Sequence, residues 1–296
     1  MKTWCCCVLS LIVAGCATKS SVVTEKKAPY DFSNTKERIA LPTILNEISG
    51  ITFVDSITLL CVQDEDGIIF QYDISKKEIT HTYPFAGNGD YEGIALKGDT
   101  AYVLRSDGTL FEVGNYSADK PTVNMHPTGI PAKNIEGLCY DKKNQRFLIA
   151  PKGRSAKGKE GKDIRTIYSY DARTYQLNTT PLYSFDMNEI RAYALENELE
   201  VPVKKKKKAP QGEPVIHFRT SSLEIHPLTE QLYILSDVDH MIFVFGNNGK
   251  LEYAEMLDEN VFNKAEGISF LPNGTLIISN EADSRQPTLL KFKYQP

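Results

Sequence analysis

Along most of this chain apolar residues fall in short runs set off by polar turns, and the runs come in repeating sets. One run opens at Tyr91-Glu92-Gly93-Ile94, another at Ile135-Glu136-Gly137-Leu138, and a third at Ala265-Glu266-Gly267-Ile268. Such a run gives way to a polar turn, as in Asp141-Lys142-Lys143-Asn144 or Pro272-Asn273-Gly274. A second apolar run follows, as in Phe147-Leu148-Ile149-Ala150 or Thr275-Leu276-Ile277-Ile278-Ser279. A third, richer in aromatics, closes the set, as in Ile68-Ile69-Phe70-Gln71-Tyr72 or Met241-Ile242-Phe243-Val244-Phe245. Ile48-Ser49-Gly50-Ile51 and Ser221-Ser222-Leu223-Glu224 are weaker copies of the opening phrase. Aligned on the second run, Ser49, Glu92, Glu136, Ser222 and Glu266 hold equivalent places, at steps of 43, 44, 86 and 44 residues. A unit of about 40–50 residues holding several short strands predicts a β-propeller.

The double-length step leaves two readings, a sixth blade or one blade plus an insertion. Residues 186–219 favour the insertion. Asp186-Met187-Asn188-Glu189 has the acidic start and the Glu three positions on that open a helix. Residues 192–201 contain no Gly or Pro, and residues 204–208 are a lysine run with no alternating strands around it. The expected fold is therefore all-β, a five-bladed β-propeller with one helical insertion at 186–219; a six-bladed ring is the alternative. The last repeat ends after three strands, whereas Glu37-Arg38-Ile39-Ala40-Leu41 alternates and is stopped by Pro42. That early run is expected to supply the last blade's missing strand and so remove a free sheet edge.

The start of the chain has a different character. Lys2 precedes an apolar stretch over residues 8–13, and Val13-Ala14-Gly15-Cys16 matches a bacterial lipobox. The stretch is too short to span a bilayer, so residues 1–15 read as a removed lipoprotein signal peptide. Residues 16–36 then read as a polar tether, with Cys16 as the lipidation site, and 37–296 as the propeller domain. The expected location is the cell envelope of a Gram-negative bacterium, at the outer membrane, with the membrane as a partner through Cys16. A net charge of −4 argues against a nucleic-acid binder, which needs a basic stripe. Cys61 and Cys139 lie in apolar runs and read as buried thiols rather than a disulfide. The lysine run and the basic loop over residues 153–162 read as solvated segments, with lipid headgroups as the alternative partner of the lysines.

In a propeller the first strand of each blade lines the central channel, so equivalent positions form a ring. Here the ring is Ser49, Glu92, Glu136, Ser222 and Glu266, and alternation adds Glu47 and Glu224 as channel-lining residues one level along. Carboxylates that close repel one another and need compensation. Ca2+, which takes six to eight hard oxygen ligands, is the simplest compensator, with Glu92, Glu136 and Glu266 as its candidate ligands. The same glutamates could instead accept backbone N–H bonds that join blades, or act directly in catalysis. At the ends of the second strands, Asp64, Arg105, Asp107, Lys152, Asp237 and Glu281 are expected at the channel mouth, as recognition groups for a small ligand or as inter-blade salt bridges. No nucleophile motif or phosphate loop is present, and the five histidines lack zinc-ligand spacing.

The phrases Leu45-Asn46-Glu47-Ile48-Ser49-Gly50-Ile51, Tyr91-Glu92-Gly93-Ile94-Ala95, Ile135-Glu136-Gly137-Leu138 and Ala265-Glu266-Gly267-Ile268 together resemble the SdiA-regulated family of bacterial envelope propellers. Ile234-Leu235-Ser236-Asp237 and Ile277-Ile278-Ser279-Asn280-Glu281 fit the same pattern. The resemblance implies a five-bladed relative of the phytase-like and esterase-like calcium propellers, with Glu92, Glu136 and Glu266 as channel carboxylates; it implies no settled activity. The expected function is a lipid-anchored binding or scaffold protein whose channel holds Ca2+ and whose partner is an unidentified small ligand or protein. The alternative is a metal-dependent phosphoesterase or lactonase, in which the cation polarises substrate and activates water. No base beyond the metal ligands is recognisable, which favours binding over catalysis.

Overall fold

Each opening phrase starts the innermost strand of a four-stranded antiparallel blade in the computed structural model, which describes residue 1 and residues 29–35, 37–154, 161–206 and 209–296. Residues 2–15, Cys16, the tether up to residue 28, residues 155–160 of the basic loop, and Lys207 and Lys208 lie outside the described residues. Blade one runs Ile48–Phe53, Thr58–Gln63, Ile68–Asp73 and Glu78–Pro84; blade two Tyr91–Lys97, Thr100–Arg105, Thr109–Gly114 and Thr122–Pro127. Blade three runs Ile135–Asp141, Arg146–Pro151, Ile164–Asp171 and Tyr183–Asp186; blade four Ser222–Ile225, Leu232–Ser236, Met241–Phe245 and Leu251–Met256. Blade five has Ala265–Phe270, Leu276–Asn280 and Thr288–Phe292. Each innermost strand packs against the next, and the fifth returns to the first, which makes a closed ring of five.

The missing strand of blade five is Glu37–Ala40, paired antiparallel with Thr288–Phe292 so that Ile39 faces Leu289. The chain just before it is packed as well. Tyr30 and Phe32 are buried, Tyr30 Oη donates to Gly274 O at 2.6 Å, and Gln295 N donates to Pro29 O at 2.9 Å. Residues 29–35 therefore belong to the folded domain rather than to a tether.

A blade is covered on both faces by its neighbours, which explains the near-continuous apolar second strands. Leu232–Ser236 is buried throughout, while the outermost strand Thr122–Pro127 is almost entirely exposed. The core is accordingly five separate apolar layers, one between each adjacent pair of blades. The layer between blades three and four also takes in the helix Met187–Glu196, which begins where the sequence places it. Asp186 caps it by accepting from Asn188 N at 2.8 Å, and Met187, Ile190 and Ala194 face the core.

The rest of the insertion differs from expectation, because Val203–Lys206 and Ala209–Pro214 pair as a small hairpin. Strand pairing there is carried by backbone hydrogen bonds without an alternating apolar face, so the hydrophobic pattern gave no sign of it. Among the described residues no helix is long and apolar enough to cross a membrane.

Candidate functional site

Four of the innermost strands carry a β-bulge at the same place: between Ile48 and Gly50, Tyr91 and Gly93, Ile135 and Gly137, and Ala265 and Gly267. The bulged residue is Ser49, Glu92, Glu136 or Glu266. A bulge twists a strand and re-aims one side chain, and here it happens at the channel entrance. The glycine after it is needed for close approach. A Cβ on Gly93 would lie 2.9 Å from Leu138 Cβ, and one on Gly50 2.8 Å from Gly93 Cα.

Register corrects the ring in blade four. Gly50 pairs with Val62, Gly93 with Leu104, Gly137 with Ala150 and Gly267 with Ser279; the matching pair in blade four is Ser222 with Leu235. Ser222 thus stands where the others have glycine, and the ring residue is Ser221. The hydrogen bonds agree. Ser49 Oγ donates to Tyr91 O at 2.6 Å and Ser221 Oγ to Ala265 O at 2.7 Å, each tying its blade to the next. Glu224 is corrected with it. Three residues beyond the true ring position, it lies near the far end of its strand, lines a cleft between blades three and four, and does not join the channel carboxylates.

The second tier follows the same logic. Asp64, Lys152, Asp237 and Glu281 each sit two residues past the partner of the glycine position, and the blade-two equivalent is Ser106. Arg105 and Asp107 flank that place and pair with each other at 2.7 Å, with Arg105 over the Phe111 ring. They do not reach the ring glutamates. A third tier lies two residues before each ring position; the sequence placed Glu47 there but gave no sign of its other members. It holds Glu47, Asp90, Asn134, the exposed Arg219 and Lys264, and backbone bonds such as Asp64 N to Glu47 O, Lys152 N to Asn134 O and Glu281 N to Lys264 O clip it to the second tier.

Together these tiers place eight carboxyl groups (Glu47, Asp64, Asp90, Glu92, Glu136, Asp237, Glu266, Glu281) around two lysines, Lys152 and Lys264. Lys152 Nζ lies 2.9 Å from Glu136 Oε1; Lys264 pairs with Glu281 and lies 3.7 Å from Glu266 Oε1. Burial works against the charge on Lys152, but Glu136, with Glu266 and Asp237 behind it, outweighs burial and keeps the ammonium firmly protonated. Part of the compensation expected from a divalent cation is thus supplied by lysine. Much remains unsupplied. Glu136 Oε2, Asp237 Oδ1 and Asp64 Oδ1 are buried without a hydrogen-bond partner, and Glu47, Asp64 and Glu281 bring one oxygen each to within 4.8 Å of one another.

The titration of these groups reflects the crowding. Burial, then Glu136 and Asp90, pushes Glu92 up to about 9. Burial raises Glu136 to about 7 despite Lys152, and burial followed by Asp237 and Glu281 holds Glu266 well above the usual carboxylate range. Glu281 reaches about 7, mainly through burial, and Asp64 about 6, through burial and then Glu47. Such carboxyls hold protons that the unfolded chain has already released, so the native state binds more protons than the unfolded one from about pH 4.5 upward. Stability without a cation must then fall as pH rises through this window. From Glu136 alone the loss between pH 5 and 8.5 is expected to be about 2–3 kcal/mol, measurable by urea unfolding in EDTA. A flat or rising profile would mean that these carboxyls are not crowded in solution.

The fold and the mouth define a five-bladed β-propeller with a tiered acidic channel entrance threaded by lysines. The chain belongs to the SdiA-regulated family, whose model matches residues 26–284. Among solved structures it is similar to a glutaminyl cyclase from Myxococcus xanthus (TM-score 0.59, 13% identity, covering 88% of this chain and 96% of that one). It is also similar to a chain of a mitotic checkpoint complex (TM-score 0.50, 9% identity, covering 98% and 99%). At these identities the likeness is one of fold. No curated protein sequence matches.

Proposed function

We propose that this protein is a lipid-anchored binding or scaffold protein of the cell envelope, whose channel mouth takes Ca2+ as part of its binding surface. The observation that carries the reading is the buried, unpartnered Glu136 Oε2 and Asp237 Oδ1 among more carboxyls than the two lysines can neutralise. A buried carboxylate oxygen without a partner is costly, and a hard divalent cation is the ligand that would satisfy several at once. Glu92, Glu136 and Glu266, with Asp237, would hold it. Glu47, Asp64 and Glu281 at the rim would draw cations toward it. The lipobox at Cys16 supports anchoring, since three acyl chains each contribute about 0.8 kcal/mol per buried CH2.

A second reading, a calcium-dependent phosphoesterase or lactonase, is favoured by one observation. Glu92 and Glu136, raised to about 9 and about 7, retain protons near neutral pH as general acids must. The two readings part on turnover. Purified protein loaded with Ca2+ is expected to bind the cation but leave p-nitrophenyl phosphate and γ-butyrolactone unhydrolysed. Calcium-dependent hydrolysis that disappears in Glu136→Gln would replace the binding reading with the enzymatic one.

A further inference from the structure

At the far end of the innermost strands from the acidic mouth, blades three and four part around a cleft of about 850 Å3. Its size lies within the range of small-molecule sites. One wall is the hairpin turn of blade three and the other that of blade four, and Tyr140, Tyr183, Leu148 and Leu232 give both walls apolar and aromatic surface. Nearly every charged group on these walls is already matched. Arg146 Nε is held by Asp141 at 2.9 Å, and Lys143 reaches across from blade three to Glu230 of blade four at 2.6 Å.

Among the described residues Lys142 is unpaired but exposed to solvent, and the inward exception is Glu224. Its carboxyl accepts one bond, from Ile225 N at 2.9 Å, and among the described residues no cation lies within ion-pair distance of it. Burial raises it to about 8, with only that backbone bond acting in the other direction. From blade three it is faced by the thiol of Cys139, pushed up by burial and then by Glu224, by the Asp141–Arg146 pair, and by Tyr140 and Tyr183, with Lys142 turned to solvent on the same wall. From its own blade come Glu230 and His226. The His226 imidazole points its Nδ1 at the backbone N–H groups of Leu228 and Thr229 and is held neutral by burial. None of these neutralises Glu224. Because the cleft lies away from the channel carboxylates, it stands independently of the calcium reading.

We propose that this cleft is a binding site for a small organic ammonium compound with an apolar or aromatic body, whose cationic group pairs with Glu224. A lone carboxyl in a cavity with aromatic walls is the complement of such a cation. Tyrosine faces add attraction for it, and Arg146, tied to Asp141, does not compete for the carboxylate. The bridge from Lys143 to Glu230 closes over the rim and connects the two blades on either side of the ligand.

Phenethylamine is a suitable probe, with 2-phenylethanol as its uncharged counterpart. The measurement is isothermal titration at pH 8.5, where Glu224 is ionised and the amine is still charged. The wild-type chain is expected to bind one phenethylamine and to bind 2-phenylethanol at least tenfold more weakly. Glu224→Gln should weaken the amine at least tenfold and leave the alcohol unchanged. Should Glu224→Gln fail to fold, Asn247→Trp, which narrows the cleft from an exposed rim position, is expected to weaken both probes. Equal binding of amine and alcohol would overturn the proposal, as would amine binding unaffected by Glu224→Gln or Asn247→Trp, or the absence of amine binding to the wild-type chain.

Discussion

Replacing Glu136 with Gln should abolish most of the stabilisation that calcium confers while leaving the calcium-free protein as stable as before, or more so, at pH 8. The two halves of this expectation have one cause. Without a cation, Glu136 is a buried carboxyl raised to about 7, so ionising it at pH 8 works against folding. Lys152 would still be surrounded after the change, because Glu266 and Asp237 also act on it. The usual cost of orphaning a buried partner, about 3–5 kcal/mol, therefore does not apply in full. With a cation, the same substitution removes a charged oxygen donor and should weaken affinity tenfold or more, about 1.4 kcal/mol or more. Melting curves in EDTA and in millimolar CaCl2 check both halves. A calcium response of equal size in wild type and variant would remove Glu136 from the site.

A larger effect on folding is expected from Ile39→Asp. Ile39 is buried between blades five and one, opposite Leu289, in the strand that closes the ring. An aspartate there buries an unpaired charge and releases the edge of Thr288–Phe292 to solvent, which together should cost more than about 4 kcal/mol in urea unfolding and promote aggregation. Glu37→Gln in the same strand is the control. Its ion pair with Lys291 at 2.8 Å is largely exposed, so its loss should cost at most about 1 kcal/mol. Comparable losses for the two variants would mean that the early strand is an accessory rather than the closure.

The blade count, the closing strand and the helix start were all legible in the sequence, because each rests on a pattern that burial imposes. Second strands are apolar throughout because neighbours cover both faces, and Asp186 marks a helix start because its carboxylate accepts from Asn188 N. The hairpin Val203–Lys206 with Ala209–Pro214 was not legible, since no apolar face accompanies its pairing. The misplacement of Ser222 and Glu224 has a sharper cause. Alignment of the second strands on their aromatics matches Tyr233 with Phe147, but Phe147 lies three residues before Ala150, the partner of Gly137, and the residue three before Leu235, the partner of Ser222, is Leu232, so the pairing register puts Ser222 at the glycine position. A one-residue error in register moves a side chain to another face. Lys264 and Asp90 escaped notice because they precede the repeated phrase, in the stretch where the copies share no residue type.

That the acidic residues of separate blades meet around one axis and there hold a divalent cation is tested most directly by diffraction from crystals grown with CaCl2. The expected result is an anomalous peak at the channel mouth, with oxygens of Glu92, Glu136, Glu266 or Asp237 at about 2.3–2.6 Å from it. A mouth occupied only by the Lys152 and Lys264 ammonium groups and water at millimolar calcium would contradict it.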